Sequence, residues 1–372
     1  MCKSILSFCR REPVLILSCL CALVSCLFVP PSLDYLSYID VRVLCLLFCL
    51  MAVVSGLQEC GLFLVLAQKL LIGERPLRIL TVILTMLPFF SSMLVTNDVA
   101  LITFVPFAIL VLGMVGRQDL LIPVIVLQTI AANLGSMTTP VGNPQNLFLY
   151  AHYDLTIGAF LSVLLPLTIL SLVLLIVASL FVGGKGWISV SFPEQATIQS
   201  HKHLLIYLVL FLLCLLSVSH ILSHWVLTVL VIVALFVCNR KLLLEVDYFL
   251  LCTFVCFFIF SGNLGNIPVV VQTLSQFLER STLLSSAVAS QVISNVPAAV
   301  LLAGLTDHWQ ELLTGVNVGG LGTPVASLAS LISLKFYLRT PDSRTSSYLL
   351  WFGIANLIGL CILLPLSLFL LP

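Results

Sequence analysis

Seven stretches of the chain are apolar over the length needed to cross a bilayer, and they leave little choice of fold. They lie at about residues 13–31, 41–57, 157–182, 203–219, 222–239, 246–262 and 347–371, and the third contains no Asp, Glu, Lys or Arg. A helix needs about 20 such residues to span a hydrocarbon core of about 30 Å. Lipid offers backbone groups no partners, so only helices and closed barrels cross it. Runs this long and continuous specify helices rather than alternating strands. Charged residues make up 8% of the chain, against roughly 25% in a soluble domain. The fold class is an all-α polytopic membrane protein.

One segment breaks this pattern. Residues 132–146 read ANLGSMTTPVGNPQN and hold Asn133, Asn143, Asn146, Gln145, two Gly and two Pro. Non-helical backbone at membrane depth is tolerated only where protein buries it or where it lines a watery cavity. The break occurs a second time, at residues 316–330, as VNVGGLGTPVASLAS. Without gaps, Asn133 aligns with Asn317, Gly135 with Gly319, and Thr139-Pro140-Val141 with Thr323-Pro324-Val325. Upstream, Thr96-Asn97-Asp98 aligns with Ser294-Asn295-Val296, and Ser55-Gly56 with Ser261-Gly262. Landmarks recurring in one order define an internal repeat.

Each repeat reads as two spans, an amphipathic piece (about 60–75 and 267–280), a re-entrant helical hairpin, a broken helix and a last span. The hairpin tips are 96–98 and 294–296, and the broken helices 119–150 and 314–337. Residues 1–182 form the first repeat, 183–202 a polar cytoplasmic connector, 203–219 a linking transmembrane helix, and 220–372 the second repeat. A hairpin enters and leaves on one side, so each repeat crosses four times. The single helix 203–219 then inverts the second repeat relative to the first, as in many secondary transporters. Charge agrees with this parity: of 16 Lys and Arg, only Arg42 and Arg280 fall on the far side. The positive-inside rule puts the N-terminus in the cytoplasm and the C-terminus outside a plasma membrane. The N-terminus has the outline of a signal peptide, but an uncleaved first span accounts for the same residues.

The tips and breaks carry the polar chemistry. A helix starts at each tip, with Asn97 or Asp98, and Asn295, as natural N-caps. Helix N-termini attract anions. Broken segments release carbonyls, at Gly135 and Gly319 among others, and Asn133, Asn143, Asn146, Asn317, Ser327 and Thr323 add side-chain oxygens suited to a hard cation. Asp98 is the one acidic residue read as deep in the fold, where carboxylates are costly and usually functional. Glu59 reads as interfacial.

Other classes lack their signatures. There is no G-x-x-x-x-G-K-[ST] loop for ATP and no H-E-x-x-H, so an enzyme is not expected. The basic residues follow topology rather than forming a nucleic-acid surface. The 13 Cys lie mostly inside apolar runs with no C-x-x-C, which fits apolar filling rather than metal binding.

The segments SSMLVTNDVALITFVPFAIL and ANLGSMTTPVGNPQNLFLY resemble the ion transporter superfamily. That group holds arsenite permeases, NhaD-type sodium/proton antiporters, citrate permeases and sodium-coupled dicarboxylate or sulfate symporters. The resemblance covers about 40–370. It implies that Asn97 and Asn295 take the place of the tip asparagine that contacts substrate and helps build sodium sites. The third tip position departs from the Ser-Asn-Thr of the dicarboxylate symporters: Asp98 would repel a carboxylate and Val296 cannot hydrogen-bond. Asn-Asp at the first tip looks more like the arsenite-permease and antiporter branches. The family further implies a scaffold that often forms a homodimer and a transport domain that moves like an elevator.

The expected function is cation-coupled secondary transport of a small anion by alternating access. Thr96, Asn97, Ser294, Asn295, Thr139 and Thr323 would contact this anionic solute. Asn97, Asp98, Asn133, Gly135, Asn143, Asn146, Asn295, Asn317, Gly319 and Ser327 would hold a coupling Na⁺ or H⁺, with no other cofactor. Membrane lipid is the surrounding partner. A sodium/proton antiporter centred on Asp98 is the first alternative, and a non-transporting membrane scaffold or receptor the second.

Overall fold

The computed structural model describes residues 13–192, 194–341 and 343–371; Lys3, Arg10 and Arg11 of the charge count lie outside them. The first half runs through α1 (Pro13–Ser25), α2 (Tyr35–Tyr38), α3 (Val41–Glu59), α4 (Leu62–Leu71), strand β1 (Gly73–Pro76), α5 (Leu77–Ser91) and α6 (Asn97–Met114). A short 3₁₀ turn, Gln118–Leu120, leads into α7 (Leu121–Ser136), then α8 (Pro144–His152) and α9 (Ile157–Gly183). Strand β2 (Trp187–Val190) and α10 (His201–Val218) connect the halves. The second half holds α11 (His224–Cys238), α12 (Lys241–Glu245), α13 (Tyr248–Gly265), α14 (Pro268–Arg280), α15 (Thr282–Ile293) and α16 (Asn295–Ala303). It ends with α17 (Trp309–Val318), α18 (Leu328–Tyr337) and α19 (Thr345–Leu370).

Polar residues flanking the apolar runs set where helices begin. Asp40 accepts the Val43 N–H (3.0 Å), Thr156 the Ala159 N–H (3.2 Å) and Asp247 the Leu250 N–H (2.9 Å). Each satisfies a donor the first turn cannot pair internally. Among the described residues, 7 helical stretches are long and apolar enough to cross a membrane. Two of them, Asn97–Met114 and Gln118–Ser136, fall in segments the sequence assigns to hairpin and broken helix. Conversely, the run 13–31 yields only α1, which ends at Ser25 ahead of Pro30-Pro31. Residues before proline avoid helical backbone, and proline itself cannot continue a helix. Phe369, Val237, Phe181 and many other large apolar side chains are exposed, as outward faces in lipid should be.

One feature departs from the all-helical expectation. β1 and β2 pair antiparallel, with Gly73 opposite Val190 and Pro76 opposite Trp187. Gln68 holds the same connector by accepting the Ala196 N–H (2.6 Å) and donating to the Glu194 carbonyl (3.4 Å). The connector is therefore tied to the start of the first hairpin rather than being a plain polar loop. The second broken helix also begins earlier than residue 314, at Trp309.

The packing exchanges partners between halves. α1 packs on α13, while α3 packs on α11. α8 lies against α16, and α18 against α6. Within each half, α7 packs on α5 and α6, and α17 on α15 and α16. The ends of α5, α7, α15 and α17 thus come together in the interior, where α7 is buried almost throughout.

Candidate functional site

Each hairpin tip is stitched to its own break by the same bonds. The Asn97 N–H donates to the Gly142 carbonyl (3.2 Å), and the Asn295 N–H to the Ala326 carbonyl (3.0 Å). Thr139 Oγ1 donates to the Met93 carbonyl (2.5 Å), and Thr323 Oγ1 to the Gln291 carbonyl (3.0 Å). All four bonds fall at aligned positions. The paired Thr-Pro signature therefore has a mechanical reason: the hydroxyl clamps the break onto the end of the hairpin's first helix. Thr139 is half-buried and Thr323 exposed, so the structure does not bring Thr323 into the polar centre.

The N-cap positions are Thr96 and Ser294, one residue earlier than the sequence suggests, and neither makes a side-chain cap bond. Asn97 and Asn295 open their helices, and each Oδ1 accepts the next residue's N–H, from Asp98 and Val296 (2.9 Å each). This leaves the amide nitrogens free to face the breaks. Ser294 adopts φ +73°, a left-handed conformation costing a non-glycine residue of order 1–3 kcal/mol, of the kind that collects at functional sites. Its partner Thr96 has an ordinary φ of −67°.

The two halves meet through the asparagines. Asn133 Oδ1 accepts from Asn97 Nδ2 (2.9 Å) in its own half and from Ser327 Oγ (3.0 Å) in the other. Asn317 Nδ2 donates to Asn146 Oδ1 (2.6 Å), and Gln145 Nε2 approaches Asn317 Oδ1 at 3.5 Å. Asn143 Nδ2 donates to Ser136 Oγ (2.8 Å), and Asn146 Nδ2 reaches the carbonyls of Ser136, Met137 and Thr139 (3.2–3.4 Å). All of these asparagines are buried. Several polar atoms around them have no protein partner: Asn133 Nδ2, Gln145 Oε1, Thr314 Oγ1 and Ser330 Oγ. Buried polar groups are normally paired, so the interior carries an excess of donors and acceptors at these four atoms.

Gly135 and Gly319 have a packing role at matched positions. A Cβ on Gly135 would run into the carbonyl of Phe89, and one on Gly319 into the backbone of Ala287. Phe89 and Ala287 also align. Each broken helix therefore approaches its hairpin closely enough to exclude any side chain at the glycine.

A cavity of about 760 Å³ lies beside the first tip, reaching Thr96 and Asp98. Asp98 is half-buried, and its Oδ1 is buried without a hydrogen-bond partner. Asp98 is not the only carboxylate here: Glu59, Glu245 and Asp247 line the same cavity. Glu59 accepts from Asn239 Nδ2 (2.7 Å). Gln145, Thr314, Ser330, Glu245 and Asp247 were not legible as site residues. Gln145 lies inside the quoted break, and Ser330 aligns with Asn146, so the signal was weak but present for these two. Among the described residues, no group of three His, Cys, Asp or Glu is placed to hold a metal ion.

Residues 5–329 match the citrate transporter family. An uncharacterized transporter of Methanocaldococcus jannaschii is 30% identical over 85% of this chain and 86% of its own length. The inner membrane protein YbiR of Escherichia coli is 31% identical over 77% of each chain. A silicon efflux transporter of Oryza sativa subsp. japonica is 33% identical over 36% of this chain and 27% of its own. With a multi-pass helical fold built around this polar centre, the chain belongs to the citrate transporter family of the ion transporter superfamily, whose members are secondary transporters of small solutes rather than enzymes.

Proposed function

We propose that the chain is a cation-coupled secondary transporter of a small anion, an inorganic oxyanion or a carboxylate, working by alternating access in the plasma membrane. The observation that carries this reading is the duplicated tip-and-break clamp, with Asn133 and Asn317 joining the halves. Two aligned half-sites facing one centre, each on a broken helix, are the arrangement by which inverted repeats bind solute and coupling ion together. In this reading the two halves have inverted topology, the N-terminus is cytoplasmic and the C-terminus outside. Thr96, Asn97, Ser294 and Asn295 present helix starts to the solute, while Thr139 and Thr323 hold those tips in place. Asp98, Asn133, Asn143, Asn146, Asn317 and Ser327 supply oxygens to a coupling Na⁺ or H⁺, with carbonyls from the breaks bounded by Gly135 and Gly319. A homodimeric scaffold is part of this reading, as the family resemblance implies.

The unpartnered Asp98 Oδ1 favours a second reading, a sodium/proton antiporter centred on that carboxylate. The purified protein is to be melted in the presence of citrate, succinate, sulfate, phosphate, arsenite and silicate, with sodium, potassium and pH varied. A ligand that binds the folded state raises the melting temperature. The expected result is a solute shift that depends on sodium or pH. Sodium-dependent stabilisation without any solute effect would favour the antiporter, and no shift with any ligand would favour a non-transporting scaffold or receptor.

A further inference from the structure

The cavity beside the first tip has a counterpart beside the second. That counterpart, of about 230 Å³, is lined by Val292, Ile293, Ser294, Pro297, Val325 and Leu328. The first cavity is lined by Leu94, Val95, Thr96, Val99, Val141 and Pro144, which are the aligned positions one for one. A second wall comes from α3 in the first cavity and from its aligned span α13 in the second. Met51 and Val54 of the first cavity become Phe257 and Phe260 in the second.

The same place in the fold has been given two chemistries. Glu59, Asp98, Glu245 and Asp247 face the first cavity, and no Lys or Arg does. None of these four carboxylates is within salt-bridge distance of a basic side chain among the described residues. Asp247 and Glu59 each have a hydrogen-bond donor, from the Leu250 N–H and Asn239 Nδ2, but Asp98 Oδ1 is buried with none. No acidic residue lines the second cavity, where Val296 stands in the place of Asp98 and the aligned partners of Gln58 and Glu59 are Leu264 and Gly265. Unpaired carboxylates in a narrow, low-dielectric cleft focus a field that concentrates cations, and a buried unpaired charge is strongly unfavourable. The second cleft offers a cation no carboxylate, only the Ser294 hydroxyl among apolar side chains.

We propose that the chain binds one hard monovalent cation per copy, at Asp98, through the acidic cavity, and that the second tip contacts solute without a cation of its own. This rests on the transporter reading above and deepens it: the duplicated frame has kept two solute-facing tips and only one charge-carrying site. Thr96 at the tip and Gln58 and Ser55 on α3 line the same cavity and carry neutral side-chain oxygens. Glu59, Glu245 and Asp247 form its acidic entrance.

The test counts cations on the full-length purified protein, independently of any solute. Equilibrium ²²Na⁺ binding at alkaline pH is expected to saturate at one ion per chain and to vanish in Asp98→Asn, with Asp98→Glu restoring it in part. If the cation is a proton, sodium does not bind, and infrared difference spectra across a pH jump show one carboxyl band that is absent in Asp98→Asn. Melting curves and size-exclusion profiles confirm that the variants are folded. Two sodium ions per chain, an undiminished ion or carboxyl signal in folded Asp98→Asn, or neither signal in the wild type would overturn the proposal. If any of these appears while reconstituted protein still carries solute, only the single-cation assignment fails. Absence of solute flux in the reconstituted wild type would instead strike the transporter reading.

Discussion

At the scale of residues, the centre depends on Asn133, whose one oxygen accepts donors from both halves. Asn133→Ala leaves Asn97 Nδ2 and Ser327 Oγ without that acceptor, and an unsatisfied buried group costs about 1–3 kcal/mol. A clear fall in melting temperature together with loss of solute uptake is expected; a variant that melts normally and transports normally would remove Asn133 from the site. Thr323 makes a different case. Its hydroxyl is engaged with the Gln291 carbonyl at an exposed position, so Thr323→Val should lower stability by about 1 kcal/mol and leave solute affinity unchanged. Weakened affinity at unchanged stability would show that this hydroxyl meets solute directly. The asparagines were legible because polar side chains inside apolar runs stand out, and because the repeat supplies each with a partner. The entrance carboxylates were not. Glu59, Glu245 and Asp247 lie at or beside helix ends; of the three only Glu59 reads as interfacial from sequence, and nothing in their spacing shows that α3 and the α12–α13 corner face one cavity.

At the scale of elements, the glycines at the ends of α7 and α17 set how closely each broken helix meets its hairpin. Gly135→Ala forces a methyl group against the Phe89 carbonyl, a fixed backbone atom. Overpacking of this kind costs about 1–3 kcal/mol, so lower stability and reduced uptake are expected; a fully stable and active Gly135→Ala protein would contradict the close packing. Gly319→Ala should behave alike against Ala287. The interruptions between α5 and α6, α7 and α8, α15 and α16, and α17 and α18 could be read from sequence because Asn, Gly and Pro break long apolar runs in both halves. The β1–β2 pair could not. GERP and WISV are each 4 residues long, too short for alternation to register, and their pairing depends on the connector folding back beneath α4. The caps fall one residue earlier because the Asn97 and Asn295 N–H groups donate across the break to Gly142 and Ala326 while each Oδ1 accepts the next residue's N–H.

At the scale of the whole molecule, the exchange of partners between halves makes each half incomplete without the other. In the proposed topology the single helix α10 between them inverts the second half, and the placement of Lys and Arg orients both. A reporter enzyme that is active only outside the cytoplasm should therefore work when fused after residue 371, whereas a fluorescent cytoplasmic reporter there would reverse the assignment. The most direct test of coupled transport is uptake into liposomes holding the purified protein, using whichever solute raises its melting temperature. Uptake should rise several-fold when an inward sodium or proton gradient is imposed and fall to the level of empty liposomes in Asp98→Asn. Uptake that ignores both gradients, or that survives in Asp98→Asn with its gradient dependence intact, would contradict coupling through this site.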